Sequence, residues 1–219
     1  MSFPVRPRFP RLLQSSEKSP VKQRIPEETA CRAGRLRVQS PTVNNERIIH
    51  NLALVGFMGT GKSTIGRIVA EHLQFDFVDT DALIEERLGR SISDIFAREG
   101  EAAFRQYEKH ALEAIGALRK VVIAAGGGLA ADPANMASLK AHALVFWLVA
   151  SPETIWERAR TQTHRPLLQG PDPMAKIRTL LAAREPVYRQ ADVFIHSGLR
   201  APGEVARQIA HQFQAARAQ

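Results

Sequence analysis

The nine residues Gly56-Phe57-Met58-Gly59-Thr60-Gly61-Lys62-Ser63-Thr64 constrain this chain more than any other feature of it. They satisfy G-x-x-x-x-G-K-[ST], follow the apolar run Leu52 to Val55, and precede Ile65, Ile68, Val69, His72 and Leu73 at helical spacing. A strand, a glycine-rich turn and an amphipathic helix in that order aim backbone N–H groups and the positive end of a helix at one spot, which is a phosphate site. Gly59, Thr60, Gly61 and Thr64 would then surround the phosphates of ATP. Lys62 would neutralise the outer ones, and the Ser63 hydroxyl would ligate Mg²⁺. A chance glycine-rich turn would lack the flanking strand and helix.

The rest of the chain from Asn51 alternates short apolar runs with helical stretches, the pattern of βαβ units and a parallel sheet buried on both faces. Strands are expected at Leu52–Val55, Phe75–Val78, Val121–Ala125, Leu144–Val149 and Val193–Ile195. Ser91 with Asp94 three residues on opens a helix that should run through Leu118. Asp132-Pro133 and Ser151-Pro152 each pair a cap with a first-turn proline. Residues 161–173 hold Gly170 and three prolines with little periodicity, a surface loop long enough for a lid. A helix should follow and stop near Glu185, before Pro186, and Val205, Ile209 and Phe213 mark the inner face of the last helix.

Charge points away from nucleic acid as a partner of the folded part. The formal net charge is +8, but residues 1–45 carry +6 of it and the remaining 174 residues only +2. Residues 1–46 are rich in Pro, Arg, Ser and Gln without periodicity and read as a disordered basic tail ahead of one domain over 47–219. An organellar transit peptide is the competing reading, weakened by Glu27, Glu28 and the prolines. The single cysteine, Cys31, excludes a disulfide framework, and no run reaches the roughly 18 apolar residues of a membrane span. A cytoplasmic protein without membrane contact is expected.

A phosphate loop does not choose the phosphoryl acceptor, so other residues must. Asp79-Thr80-Asp81 follows the second strand, where open α/β sheets bind ligands. On an extended segment, residues two apart point the same way, so both carboxylates could reach one site. One would serve Mg²⁺ through water and the other an alcohol, unless Asp81 merely caps a helix starting at Ala82. Arg105 and Glu108 are three apart on a helix and can pair, which either fixes the guanidinium or is a plain surface ion pair. Gly126-Gly127-Gly128 permits close backbone approach to a ligand, or is a flexible turn. Arg165 stands in the candidate lid, where it could reach developing phosphoryl charge. Arg184 could grip a carboxylate in two-pronged fashion, and either arginine could also be solvated.

Taken together these segments resemble the shikimate kinases from about Leu52 to the C-terminus. The matching pieces are GFMGTGKST, the DTD at Asp79–Asp81, IFAREGEAAFRQYE from Ile95 to Glu108, the triple glycine, RPLL at Arg165 and REPVYR at Arg184 to Arg189. The resemblance implies a three-layer P-loop kinase fold with a five-stranded parallel sheet and a mobile lid. It implies ATP-dependent phosphorylation of the 3-hydroxyl of shikimate in the route to chorismate and the aromatic amino acids, by a monomer. Asp81, Arg105, Arg184 and the glycines Gly126, Gly127 and Gly128 would meet shikimate. Ser63 and, through water, Asp79 would serve Mg²⁺, and Lys62, Asp81 and Arg165 would carry the chemistry. Adenine would lie between an arginine, Arg160 or Arg158, and the Arg200–Pro202 segment. Phe96 and Phe104 would flank the cyclohexene ring. The competing readings are a kinase-like sensing domain of a regulator and a gluconate-kinase-like enzyme. The paired aspartates and the lack of a two-helix pattern upstream speak against the first. The acceptor arginines together with DTD speak against the second.

Overall fold

A computed structural model of the chain describes residues 49–160 and 172–218. The basic tail, Cys31, Arg165 and nearly all of the candidate lid lie outside the described residues. Five strands, β1 (Asn51–Val55), β2 (Asp76–Asp79), β3 (Val121–Ala124), β4 (Ala143–Val149) and β5 (Val193–His196), form one sheet in the order β2-β3-β1-β4-β5. Every pairing is parallel. Among the described residues seven α-helices accompany it: α1 (Lys62–Leu73), α2 (Thr80–Leu88), α3 (Ile92–Gly116), α4 (Pro133–His142), α5 (Pro152–Ala159), α6 (Pro173–Tyr188) and α7 (Pro202–Arg217).

The three layers follow from the alternation along the central strand. Leu52 and Leu54 of β1 pack with Val69 of α1 and Val205, Ile209 and Phe213 of α7, the inner face that the spacing predicts. Ala53 and Val55 face the other way, onto Leu112 and Ile115 of α3 and Met136 and Leu139 of α4. A sheet buried on both faces can be apolar at consecutive positions, and β1, β3 and most of β4 are. The helix starts are where the sequence puts them. Ser91, Asp132 and Ser151 each accept from first-turn N–H groups, two of them just ahead of a proline.

Four details differ from the sequence reading. β2 runs Asp76–Asp79 rather than Phe75–Val78, because its register on β3 pairs Asp79 with Ala124. α2 begins at Thr80, so Asp81 lies in its first turn and not on an extended segment. Its cap is Asp79, whose carboxylate accepts from Asp81 N and Ala82 N, rather than Asp81. α3 breaks at Gly100, where φ is 80°, and ends at Gly116 rather than Leu118. α6 passes through Pro186 to Tyr188 instead of stopping at Glu185. A mid-helix proline costs about 3 kcal/mol locally. Here the extra turn carries Tyr188, fully buried in the core between the sheet and α4, and that burial offsets the loss.

Candidate active site

The strand order places the tips of β1 and β3 side by side, and a cleft of about 500 Å³ opens where they end. Its floor is the loop between β1 and α1. Gly56, Gly59 and Gly61 hold φ of 138°, 77° and 93°, in the left-handed half of backbone space that residues with a Cβ adopt at a cost. The loop carbonyls are engaged by the protein itself. Lys62 Nζ donates to the carbonyls of Gly56 (3.0 Å) and Phe57 (3.1 Å), and Thr60 Oγ1 to Phe57 O (2.8 Å). The Arg158 guanidinium donates to Gly59 O (3.3 Å), and Ser197 Oγ to Thr60 O (2.8 Å). Gly61 caps α1 without a side chain, so the first-turn N–H groups keep their donor capacity for a ligand.

Beside this floor stand two carboxylates at the end of β2. Asp79 uses Oδ1 to cap α2 (3.1 Å to Asp81 N) and Oδ2 to accept from the Ser63 hydroxyl at 2.5 Å. Asp81, one helical step further, also lines the cleft. Both aspartates therefore reach one site as expected, but through a helix cap rather than the alternation of a strand. Thr80 between them is fully buried, and its hydroxyl accepts from Gly126 N at 2.8 Å. That bond ties the β2 tip to the triple glycine, a role that nothing in the sequence signals.

The three glycines after β3 each face one of the expected acceptor residues. A Cβ on Gly126 would overlap Asp81 Oδ1, and one on Gly128 would overlap the Arg105 guanidinium. One on Gly127 would sit 3.5 Å from Arg184 Nη1. None of the three has a positive φ, so what a Cβ would disturb at Gly126 and Gly128 is the neighbouring side chain and not the backbone, while at Gly127 it would meet only ordinary contacts. Arg105 donates to Glu108 (2.6 Å) and Glu101 (2.6 Å), and Glu108 is only 1% exposed, which makes this more than a surface pair. Burial pushes the Glu108 carboxyl above the usual carboxylate range against the pull of Arg105. Burial opposes the charge on Arg105, but its bonds to Glu108 and Glu101 win and hold it cationic.

Arg184 lies on α6 with its guanidinium 5.3 Å from the centre of the Phe57 ring, and it donates to Gly127 O at 3.4 Å. Phe96 and Phe104 pack against each other with ring centres 4.8 Å apart and planes tilted by 43°, at the α2–α3 core. On the nucleotide side, Arg158 and Pro202 are among the described residues that line the cleft, whereas Arg160 and Arg200 are not. Arg160 is the exposed C-cap residue of α5, and Arg200 donates to Gln208 Oε1 at 2.7 Å. Among the described residues no helix is long and apolar enough to cross a membrane.

A parallel sheet with a glycine-rich loop after β1 and two carboxylates beside it at the tip of β2 is the layout of a P-loop kinase, although Arg105 and Arg184, which pack on the glycines after β3, are not among the residues lining the cleft. The chain belongs to the shikimate kinase family, whose model matches residues 58–214. A shikimate kinase of Moorella thermoacetica is 44% identical over 165 residues, 75% of this chain and 95% of that one. The solved structure of a shikimate kinase from Acinetobacter baumannii in complex with shikimate is 35% identical with a TM-score of 0.74, covering 78% of this chain and 96% of that one. The shikimate kinase structure from Aquifex aeolicus is 32% identical with a TM-score of 0.68, over 76% of this chain and 97% of that one.

Proposed function

We propose that this chain transfers the γ-phosphoryl group of ATP to the 3-hydroxyl of shikimate. The observation that carries the acceptor side is the triple glycine, packed so closely that Asp81, Arg105 and Arg184 converge on its three successive residues. One carboxylate and two guanidinium groups at one backbone turn suit a small acid that also carries hydroxyls: the arginines hold its carboxylate and Asp81 faces its hydroxyls. Neither a gluconate-type acceptor nor a sensing role is favoured, given the family.

In this reading Asp81 orients the 3-hydroxyl and takes its proton as the oxygen bonds to the γ-phosphorus and the bond from phosphorus to the β-phosphate oxygen breaks. The phosphate loop holds the nucleotide, with Lys62 releasing the Gly56 and Phe57 carbonyls to meet the outer phosphates. Arg158 and Pro202 flank adenine, which the cleft lining supports over Arg160 and Arg200. Arg165, outside the described residues, is assigned to the lid, where it would neutralise charge during transfer.

Mg²⁺ fits the pair formed by Ser63 Oγ and Asp79 Oδ2, two hard oxygen donors at the edge of the phosphate site. Ser63 would ligate the ion and Asp79 would hold one of its waters. Bound there, it would neutralise charge on the β- and γ-phosphates. The remaining assignments, proposed on sequence grounds, are a cytoplasmic monomer with its catalytic domain in residues 47–219, no nucleic-acid partner and no membrane contact.

The deciding experiment is an ADP-release assay with shikimate, with gluconate and with no acceptor. Turnover that depends on shikimate is expected. ATP hydrolysis indifferent to it would overturn the reading.

A further inference from the structure

Arg184 and Tyr188 are four residues apart on α6, so their side chains share one face, and both reach a single acceptor, the Gly127 carbonyl. The Tyr188 hydroxyl donates to it at 2.7 Å and Arg184 Nη1 at 3.4 Å. The shorter bond thus belongs to Tyr188, and the residue whose carbonyl both side chains reach, Gly127, lines the cleft. Tyr188 is fully buried, with its ring 5.9 Å from that of Trp147 on β4, the strand position paired with Val55 just before the phosphate loop. Burial pushes its pKa up to about 12 against the pull of the neighbouring Arg184 charge, so it stays a protonated donor at working pH.

We infer that Tyr188 is a positioning residue for the acceptor site, its hydroxyl holding the Gly127 carbonyl that the Arg184 guanidinium also reaches. The turn at Gly127 lies close to both elements, since a Cβ there would come 3.5 Å from Arg184 Nη1 and 3.6 Å from Gly56 O and Met58 N. Without the hydroxyl, the Gly127 carbonyl keeps only the long contact to Arg184. The guanidinium is then drawn onto the carbonyl and away from a ligand carboxylate. Nucleotide binding is expected to change little, because the Tyr188 hydroxyl bonds the turn after β3 and not a carbonyl of the phosphate loop. This inference rests on the assignment of Arg184 and Gly127 to the shikimate side.

The test is calorimetric titration of shikimate and, separately, of ADP into the full chain, with Tyr188→Phe as the variant, since it removes one oxygen and keeps the ring against Trp147. Loss of one buried hydrogen bond at the site is expected to weaken shikimate about fivefold or more and to leave ADP within about twofold. Trp147→Phe, which loosens the packing around the same ring but leaves the hydroxyl, should lower Tm without changing the ratio of the two affinities. In the Arg184→Ala background, Tyr188→Phe should weaken shikimate much less than it does alone, since the two act as one unit. Unchanged shikimate affinity in Tyr188→Phe, an equal loss for both ligands, or full additivity with Arg184→Ala would overturn the inference. If Arg184→Ala itself left shikimate affinity intact, the failure would lie in the acceptor-site assignment and not in the role of Tyr188.

Discussion

Ser63 donates its hydroxyl proton to Asp79 across 2.5 Å, linking the second residue of α1 to the last residue of β2. The other oxygen of the same carboxylate caps α2, the helix whose first turn carries Asp81. One side chain therefore sets the spacing between the loop ahead of α1 and the Asp81 carboxylate.

This double duty can be separated. Asn is as good a helix cap as Asp, so Asp79→Asn should leave stability within about 0.5 kcal/mol while weakening a site for a divalent cation. The Mg²⁺ concentration giving half-maximal turnover should rise about tenfold or more, with Tm nearly unchanged. A normal Mg²⁺ dependence would remove Asp79 from the metal site and leave it a cap alone.

Asp81→Asn keeps size and hydrogen bonding but cannot take a proton at neutral pH. Turnover should fall about 100-fold or more, with ATP affinity within about twofold of the original. Equal activity in the variant would take Asp81 out of the mechanism.

Gly128→Ala would put a methyl group into the Arg105 guanidinium, a flexible group that can move aside at modest cost to the fold. Since Gly128 has φ of −80°, no backbone strain is added. The expected result is a shikimate KM raised about tenfold with Tm lowered by only a few degrees. Gly56→Ala is the opposite case. Its φ is 138°, and the new Cβ would lie 2.6 Å from the Leu148 carbonyl, which is backbone and cannot step away. A loss of about 2 kcal/mol or more in urea unfolding is expected there.

Glu108 gives a pH dependence with a definite sign. Its folded pKa lies above the ordinary carboxylate value because it is buried, so the folded state holds more protons than the unfolded one across that interval. This group's contribution to stability is present at low pH and is lost as pH rises from the ordinary carboxylate range through the folded value. In urea melts taken upward in pH from the ordinary carboxylate range, Glu108→Gln should show stability falling less with rising pH than the original chain. Parallel pH curves for the two proteins would mean that Glu108 does not titrate within that window.

Much of this site is readable because its parts are local. The phosphate loop needs three glycines at fixed offsets between a strand and a helix, and the short-range rules of backbone conformation write that directly into the chain. The helix caps at Ser91, Asp132 and Ser151 are equally local, since the side chain bonds N–H groups two or three residues on. At Asp79-Thr80-Asp81 the cap that local rules offered was Asp81. The register of β2 on β3 chose Asp79, because pairing with Ala124 keeps that residue in the strand until the turn. Arg158 and Arg160 look alike in sequence. Only the packing of α5 decides that Arg158 lines the cleft and reaches the carbonyls of Gly59 and Ser197 while Arg160 stays exposed at the helix end. The α6 extension through Pro186 is a further case, where burial of Tyr188 outweighs a local breaker.

The sequence by itself determined the parallel α/β sheet and the glycine-rich loop at Gly56–Thr64 between its first strand and helix. Each of these depends on alternation, helical spacing or a contiguous motif, which are properties of neighbours along the chain. The tertiary structure alone decided that Asp81, Arg105 and Arg184 meet at three successive glycines, that Glu108 is buried, and that Tyr188 reaches Gly127, because these contacts join segments as much as 61 residues apart. Such contacts are set by strand order and by how closely helices pack on the sheet, and no local pattern encodes them.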